Sequence, residues 1–378
     1  MIFLGVQLTI LIGKTVPVPA SRLLLESLAS VEVTNSDTGR SGFQMSFSAN
    51  RNGMSDLDYP LLKEVKQLNR VILVVIFNGR PHVLSDGIIT NQQVQPSTQP
   101  GVSSTIIATG EDVSVMMDME EKIAQHPSQN QTTIVSKIIA KYAQYGIIPK
   151  VIPPSGDKPP LPTEYIPTQR GTDLEYIKEM AEMNGYVFYV SPGPAPGTSM
   201  AYWGPPEKLG VPQSALSVNM GWHSNVDSIN FQYDALAASE ASGELQDHKS
   251  NKCQGVTVKS SKSKRPTLAT SSGLKQSKVR KRLLSPQGSN QSQSKARVQS
   301  ITDTSLDQVV TAEGELDSKN YGSLLRARGL VGLRGVGKSY DGLYYVKSVT
   351  HKLERGKYKQ SFTLTREGLG ATVPVVIP

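Results

Sequence analysis

The chain is 378 residues long, with 38% hydrophobic residues, 32 glycines, 24 prolines and a formal net charge of +8. That length calls for two or three domains, since one core rarely grows past about 250 to 300 residues. The hydrophobic share with that Gly and Pro content is low for a compact helical enzyme and suits a chain of strands and turns, and the lone Cys253 excludes an intrachain disulfide framework or a four-thiolate zinc site and fits synthesis in a reducing cytoplasm.

Residues 2–12 form an apolar run with no basic residue before it and no small-residue cleavage pattern after it, so a first strand ending at Gly13 is expected rather than a signal peptide. The run is shorter than the roughly 20 residues a helix needs to span a bilayer. Residues 31–50 split into two alternating runs around a Ser, Asp and Gly cluster, as a hairpin does, with Val31 and Val33 on one face. A continuous apolar strand over 71–77, the turn Asn78-Gly79, and strands over 82–90 and 104–109 follow, each bounded by Gly or Pro. Residues 1–115 therefore read as one all-β domain.

Ile134, Ile138 and Tyr142 recur at four-residue spacing, with Val135 and Ile139 beside them and Gly146 as a stop, which predicts an amphipathic helix. Seven prolines within 149–167 exclude a regular helix or a central strand and predict an extended connection. Thr172 and Glu175 have capping-box spacing, Leu174, Ile177 and Ala181 share a face, and Asn184-Gly185 closes this second helix ahead of a strand over 186–190. Pro and Gly dominate 192–212, and strand-like alternation resumes over 229–233. Residues 296–310 have a helical pattern, 329–365 returns to strands separated by glycine turns, and 374–378 is a short tail.

Between 249 and 297 stand 13 Lys or Arg and no Asp or Glu, and removing those 13 from the net +8 leaves −5 on the rest of the chain. The basicity is one local segment. It has few large apolar side chains with which to build a core, so an exposed insertion is expected. Its cations could neutralise phosphates without reading sequence, which makes a basic β-barrel nucleic-acid binder the alternative function. The segment holds no aromatic residue for base stacking, and a solvated, partner-contacting loop is the favoured reading.

The run from Gly332 to Ser339 satisfies GxxxxGK[ST], the phosphate-cradling pattern of nucleotide hydrolases. That chemistry needs a helix to start at Lys338, whereas Tyr340-Asp341-Gly342 reads as a turn and 343–349 as a strand. The 39 residues after Ser339 cannot supply the remaining strands and helices of such a sheet, so a glycine-rich hairpin loop with two exposed cations is expected. His82, His126, His223, His248 and His351 lie far apart without metal-ligand spacing, and Asp118, Glu120 and Glu121 read as solvated surface. No catalytic, cofactor-binding or metal-ligating residue is assigned, and neither a cofactor nor enzymatic activity is expected.

Ser85-Asp86-Gly87-Ile88-Ile89-Thr90 echoes Tyr340-Asp341-Gly342-Leu343-Tyr344-Tyr345, and a further strand begins 18 residues after Asp86 and 19 after Asp341. Asp-Gly turns are common between strands, but duplicated domains leave weak self-similarity of this kind. Two copies of one β-barrel are expected, so that three chains would present six barrels in a ring.

Three segments resemble the phage late control protein D and tail hub family. GTDLEYIKEMAEMNGYVFYV, residues 171–190, is similar to its helix-then-aromatic-strand signature. LLRARGLVGLRGVGKSYDGLYYVKSVTHKLERGKYKQSFTLTREGLG, residues 324–370, is similar to the second barrel of hubs in phages and extracellular contractile injection systems, and ATGEDVSVMMDMEEKIAQHP, residues 108–127, to the exit from the first barrel. The family is related to the hub part of type VI spike proteins.

The resemblance implies a mainly β fold with an α+β module: two related, tube-like β-barrel domains plus a small helix-containing domain. The expected bounds are 1–115 for the first barrel, 116–200 for the α+β module with its Pro-rich connection, 201–370 for the second barrel interrupted by the basic insertion 249–297, and 371–378 for the tail. It also implies a homotrimer at the centre of a baseplate, joining a hexameric inner tube or tube-initiator protein to a trimeric spike and meeting other baseplate components. Nucleic acid and direct membrane insertion have no part in that role. Cytoplasmic synthesis and assembly are expected, with residence in the baseplate of a phage tail or injection particle. Eight residues follow Gly370, so the spike is expected as a separate chain.

Overall fold

The computed structural model describes residues 2–3, 6–49, 59–97, 103–163, 165–246, 253–258, 265–273, 279–284 and 291–372; the expected tail at 374–378 and His248 lie outside them. In Val6–Gly13 every second side chain, Val6, Leu8, Ile10 and Ile12, is buried. The unbroken apolar run falls on Arg70–Phe77, buried on both faces and paired with Val6–Gly13 on one side and Arg80–Gln95 on the other, where a strand covered from both sides belongs. Asn78 and Gly79 take φ of 49° and 75°, the two positive values that a type I′ hairpin needs.

Leu28–Ser36 and Gly42–Ala49 form the expected hairpin, with Val31 and Val33 buried on one face. Ser104–Asp112 lies between Gly42–Ala49 and Arg80–Gln95. Leaving aside the two-residue strands Ile2–Phe3 and Val18–Pro19, which pair with Val6–Gly13, the strands run Val6–Gly13, Arg70–Phe77, Arg80–Gln95, Ser104–Asp112, Gly42–Ala49, Leu28–Ser36. Ranked along the chain, that order is 1-4-5-6-3-2.

A second lobe repeats the order. Gln213–Ser217, Leu330–Arg334, Gly342–Glu354, Lys357–Arg366, Val310–Asp317 and Ser228–Tyr233 lie side by side, again 1-4-5-6-3-2 along the chain. The first pair is antiparallel in the first lobe and parallel in the second. The repeat reaches single residues: Ile89 bonds through its backbone to Leu68 and Asn69, and Val346 likewise to Arg328 and Gly329. Leu68 and Arg328 both take positive φ, 65° and 69°. Each ladder then slips by one residue, between Ile89 and Asn91 and between Val346 and Ser348. Ile89 thus matches Val346, so the sequence echo aligned on Asp86 and Asp341 is two residues out of the structural register.

The lobes share a 14-stranded sheet, because residues 348–354 of the second pair with residues 30–36 of the first. Among the described residues no ladder closes either lobe into the expected barrel. Strands 2 and 3 of the first lobe are joined by residues 37–41, whereas in the second lobe residues 234–309 intervene, and the basic segment lies inside that excursion.

Its described part is more ordered than a solvated loop. Cys253–Val258 and Arg280–Leu284 flank Ser239–Gln246 in a small sheet, and Ala269–Ser272 pairs with Gly368–Ala371. Leu268 and Ala269 are buried, and Arg265 pairs with Asp303 and Asp307. Apolar anchoring of Leu268 against Leu330 and Tyr345 of the second lobe, with ion pairs inside the excursion, does what a separate core was not available to do. The helical pattern at 296–310 belongs to a helix over Gln291–Leu306, while Val310 opens the strand Val310–Asp317.

The α+β module packs helices Gln131–Ala140 and Asp173–Asn184 on the sheet Ile147–Val151, Ser199–Gly204, Val187–Pro192. The Thr172–Glu175 capping box is formed, and Gly185 ends the helix at φ 65°. Two strands lie where prolines and glycines argued against them. Ile147–Val151 runs through Pro149 at the sheet edge, where a missing N–H is tolerated, and Ser199–Gly204 is the central strand, seating the fully buried Trp203.

A buried ion pair fastens this module to the first lobe. Arg70 donates to both Asp86 carboxylate oxygens at 2.7 Å, and its Nη2 also donates to the Tyr145 carbonyl at 2.8 Å. Replacing one partner leaves the other charge uncompensated, so Asp86→Ala is expected to cost about 3–5 kcal/mol in chemical denaturation. The exposed surface pair Arg22–Glu26 gives the comparison, where Glu26→Ala should leave the denaturation midpoint unchanged.

Candidate interface site

The structure offers a junction between lobes and two strand edges. At the junction, Val33 and Val31 face His351 and Leu353 across the ladder, all four buried. On the other face Thr34 and Thr350 touch through their hydroxyls at 3.0 Å. Leu324, Leu353 and Tyr358 of the second lobe belong to the apolar core of the first. Apolar burial on one face and polar pairing on the other set the register.

His351 sits within this apolar layer, its Nδ1 3.1 Å from the Tyr358 hydroxyl. Burial, with the Arg326 cation adding to it, pulls its pKa down to about 4. The imidazole is neutral at pH 7.

Arg328 ties three parts together. Its Nε and Nη2 donate to the Ser36 carbonyl at 3.1 and 2.6 Å, and Nη2 also donates to the Ser41 hydroxyl at 2.8 Å. The guanidinium lies 4.0 Å from the centre of the Tyr189 ring, so a second-lobe cation holds both a first-lobe turn and a strand of the α+β module. Burial lowers the Arg328 pKa from the guanidinium range and raises that of the neighbouring Asp112 carboxyl. The cation is retained by hydrogen bonds and the aromatic face.

One edge ends the shared sheet, and the other lies where a strand of the first lobe runs on past its neighbour. Ser228–Tyr233 ends the second lobe with Ser228, Asn230 and Gln232 exposed and Ile229 and Phe231 half-buried. Beyond Ile89 the strand Arg80–Gln95 keeps pairing with Ser104–Asp112, but among the described residues no strand lies along its other side at 91–95. There Asn91, Gln93 and Gln95 are exposed and Val94 is half-buried.

Three solved structures with this arrangement cover almost all of the chain. A tail protein from Neisseria meningitidis MC58 superposes with a TM-score of 0.65 at 12% identity, over 97% of this chain and 98% of that one. The 43 kDa tail protein of prophage MuSo2 from Shewanella oneidensis gives 0.64 at 12% identity, over 96% and 98%. An E. coli component of the type VI secretion system, itself similar in structure to the T4 bacteriophage tail proteins gp27 and gp5, gives 0.56 at 12% identity, over 93% and 77%.

This chain has the tail-hub fold. No protein-family model matches its sequence, and no curated protein matches it; the likeness is in the path of the backbone. Within the hub fold, Gly332 to Ser339 forms the end of strand Leu330–Arg334 and a turn, with Gly335 and Gly337 at φ 84° and 98°. Strand Gly342–Glu354 follows, and no helix starts at Lys338. Of the two cations expected to be exposed there, Lys338 is exposed, while Arg334 is half-buried and donates to the Ser217 hydroxyl at 2.8 Å.

Asp118, read as solvated surface, accepts from the capping Thr172 hydroxyl at 2.7 Å. Among the described residues no cluster of His, Cys, Asp or Glu is placed to hold a metal, and no helix is long and apolar enough to cross a membrane. Sequence reasoning missed Arg328, His351 and the edge at 91–95. For Arg328 no local signal exists, since Ser36, Ser41 and Tyr189 lie far away in sequence; the burial of His351 comes from facing the distant Val33, and the alternation of Asn91-Gln-Gln-Val-Gln95 is open to a strand reading.

Two outcomes test the junction. The unfolded chain protonates histidine near pH 6.5 while folded His351 stays neutral to about pH 4, so its contribution is full above 6.5 and lost as pH falls towards 4. The loss is on the order of 3 kcal/mol, and His351→Leu should remove that part of the pH dependence of the urea midpoint. Arg328→Ala should cost about 3 kcal/mol, whereas Lys338→Ala should change stability by under about 0.5 kcal/mol.

Proposed function

We propose that this chain is a structural baseplate hub with no catalytic role, acting as a homotrimer that joins a hexameric inner tube to a trimeric spike in a phage-like tail or contractile injection system. The observation that carries the reading is the likeness to tail proteins along the whole chain, in a molecule whose two lobes repeat one strand order. Three chains with two such lobes each present six similar surfaces to a hexamer while keeping threefold symmetry for a spike. That solves a symmetry mismatch with one polypeptide.

In this reading each lobe is one tube-like barrel of the ring, and the α+β module buttresses the pair from outside the repeat. The spike, a tube or tube-initiator protein and other baseplate components are the partners, and the hub resides in the baseplate after cytoplasmic synthesis. Its work is geometric: large subunit interfaces hold the ring, and no bond is made or broken.

The test is the mass and symmetry of the purified chain, by light scattering and by negative-stain averages viewed down the particle axis. A three-chain ring with six similar lobes is expected. A monomer that retains DNA in a salt-dependent way would instead support the nucleic-acid reading of the basic segment.

A further inference from the structure

We infer that the outer edge of Arg280–Leu284 is a docking site for an acidic, extended segment of a partner protein, which adds to the small sheet as a further strand. The inference concerns the excursion alone and does not depend on the ring proposed above.

The edge is open, and its sheet is anchored. Arg280–Leu284 pairs in parallel with residues 239–243 and is the last strand in the order Cys253–Val258, Ser239–Gln246, Arg280–Leu284. Among the described residues no strand faces its outer row of backbone N–H and C=O groups. Helix Gln291–Leu306 secures the central strand, the Ser305 hydroxyl accepting from the Ser239 N–H at 3.0 Å and the Thr302 hydroxyl from the Ala241 N–H at 3.2 Å. The inner side of Arg280–Leu284 is therefore held while its outer side stays free.

The side chains on this edge carry one sign of charge. Arg280, Lys281, Arg282 and Leu283 are all exposed, Leu283 to 87%. By register, Arg280 and Arg282 share the face of Ser239 and Ala241, while Lys281 and Leu283 share that of Glu240 and Ser242. No ion pair among the described residues includes any of the three cations. The surrounding stretch 249–297 holds 13 Lys or Arg and no Asp or Glu, so it has no acid of its own to neutralise them.

That charge selects the occupant. Cations on an open edge keep like edges apart, so a second copy of this strand would meet charge with charge. A strand of opposite sign is favoured by the same cations. Its carboxylates, on alternate residues, would face Arg280 and Arg282 across the ladder, and its apolar residues, on the other face, would cover Leu283. A guard against aggregation has no use for an exposed leucine. Nucleic acid would be drawn by the charge but would use neither the backbone row nor Leu283, and residues 279–284 offer no aromatic ring to a base.

The probe is a short fluorescent peptide of alternating Glu and Val, titrated against the full chain by anisotropy at low ionic strength. Saturable binding is expected, weakened about tenfold or more by Arg280→Glu with Arg282→Glu. A peptide of alternating Lys and Val should bind that variant and not the parent. Methylating every backbone nitrogen of the Glu-Val peptide keeps its charge and removes its N–H donors, and should also weaken binding about tenfold.

Equal binding of the methylated and unmethylated peptides overturns strand addition and leaves charge attraction alone. Absence of binding, or an affinity that charge reversal does not move, overturns the site. An oligothymidylate that binds more tightly than the Glu-Val peptide and is released by the same reversal overturns the protein partner in favour of nucleic acid.

Discussion

Strand Gly342–Glu354 has three partners, and the architecture depends on that sharing. Its first residues pair with Leu330–Arg334, its later ones with residues 30–36 of the other lobe, and its opposite side with Lys357–Arg366. A strand with both edges occupied has no free N–H or C=O row, so the two lobes cannot part without breaking a ladder and exposing Val31, Val33 and Leu353. The one-residue slip at Lys347 is what allows it to leave one partner and meet the next.

Around this strand the buried arginines work as fasteners. Arg328 reaches a turn of the first lobe and the ring of Tyr189. Arg70 reaches Asp86 and the Tyr145 carbonyl of the module. Arg366 donates to the Gly368, Asp341 and Ser339 carbonyls and lies over Tyr344, bracing the glycine turn beside the motif that mimics a phosphate loop. Arginine suits this work because its fork satisfies several acceptors at once, so the desolvation of the charge is offset without a carboxylate in every case.

The repeat also explains where the chain could take on an excursion. Strands 2 and 3 of the first lobe are joined by a tight turn, and the same connection in the second lobe holds residues 234–309. A hairpin end lies outside the ladders, so an insertion there leaves the strand order intact. The excursion returns to the lobe through Ala269–Ser272, which pairs with Gly368–Ala371, and through the Ala269 N–H, which donates to the Glu367 carboxylate at 2.8 Å; the cations Arg280, Lys281 and Arg282 lie on an exposed outer edge.

The sequence by itself determined what short-range physics controls. The hairpin over 31–50, the Asn78-Gly79 turn, the capped helix at Thr172 and the unbroken strand at 71–77 are written in alternation, capping and turn residues within a few positions of one another. It also showed that Lys338 sits in a turn and that the basicity is local. Tertiary structure decided the rest, because the deciding partners are distant in sequence. Ser199–Gly204 is a strand because two neighbours and the burial of Trp203 outweigh its proline and glycine flanks. Val310–Asp317, with its glycine and acidic residues, is a strand because Lys357–Arg366 and Ser228–Tyr233 hold it from both sides. The duplication was visible in sequence only as an echo two residues out of register, since strand order and bulge position are set by backbone pairing and a β-ladder accepts many side chains. Which edges are closed and which are open is likewise a property of the assembled sheet, where each strand's pairing is fixed by the neighbour that covers its apolar face.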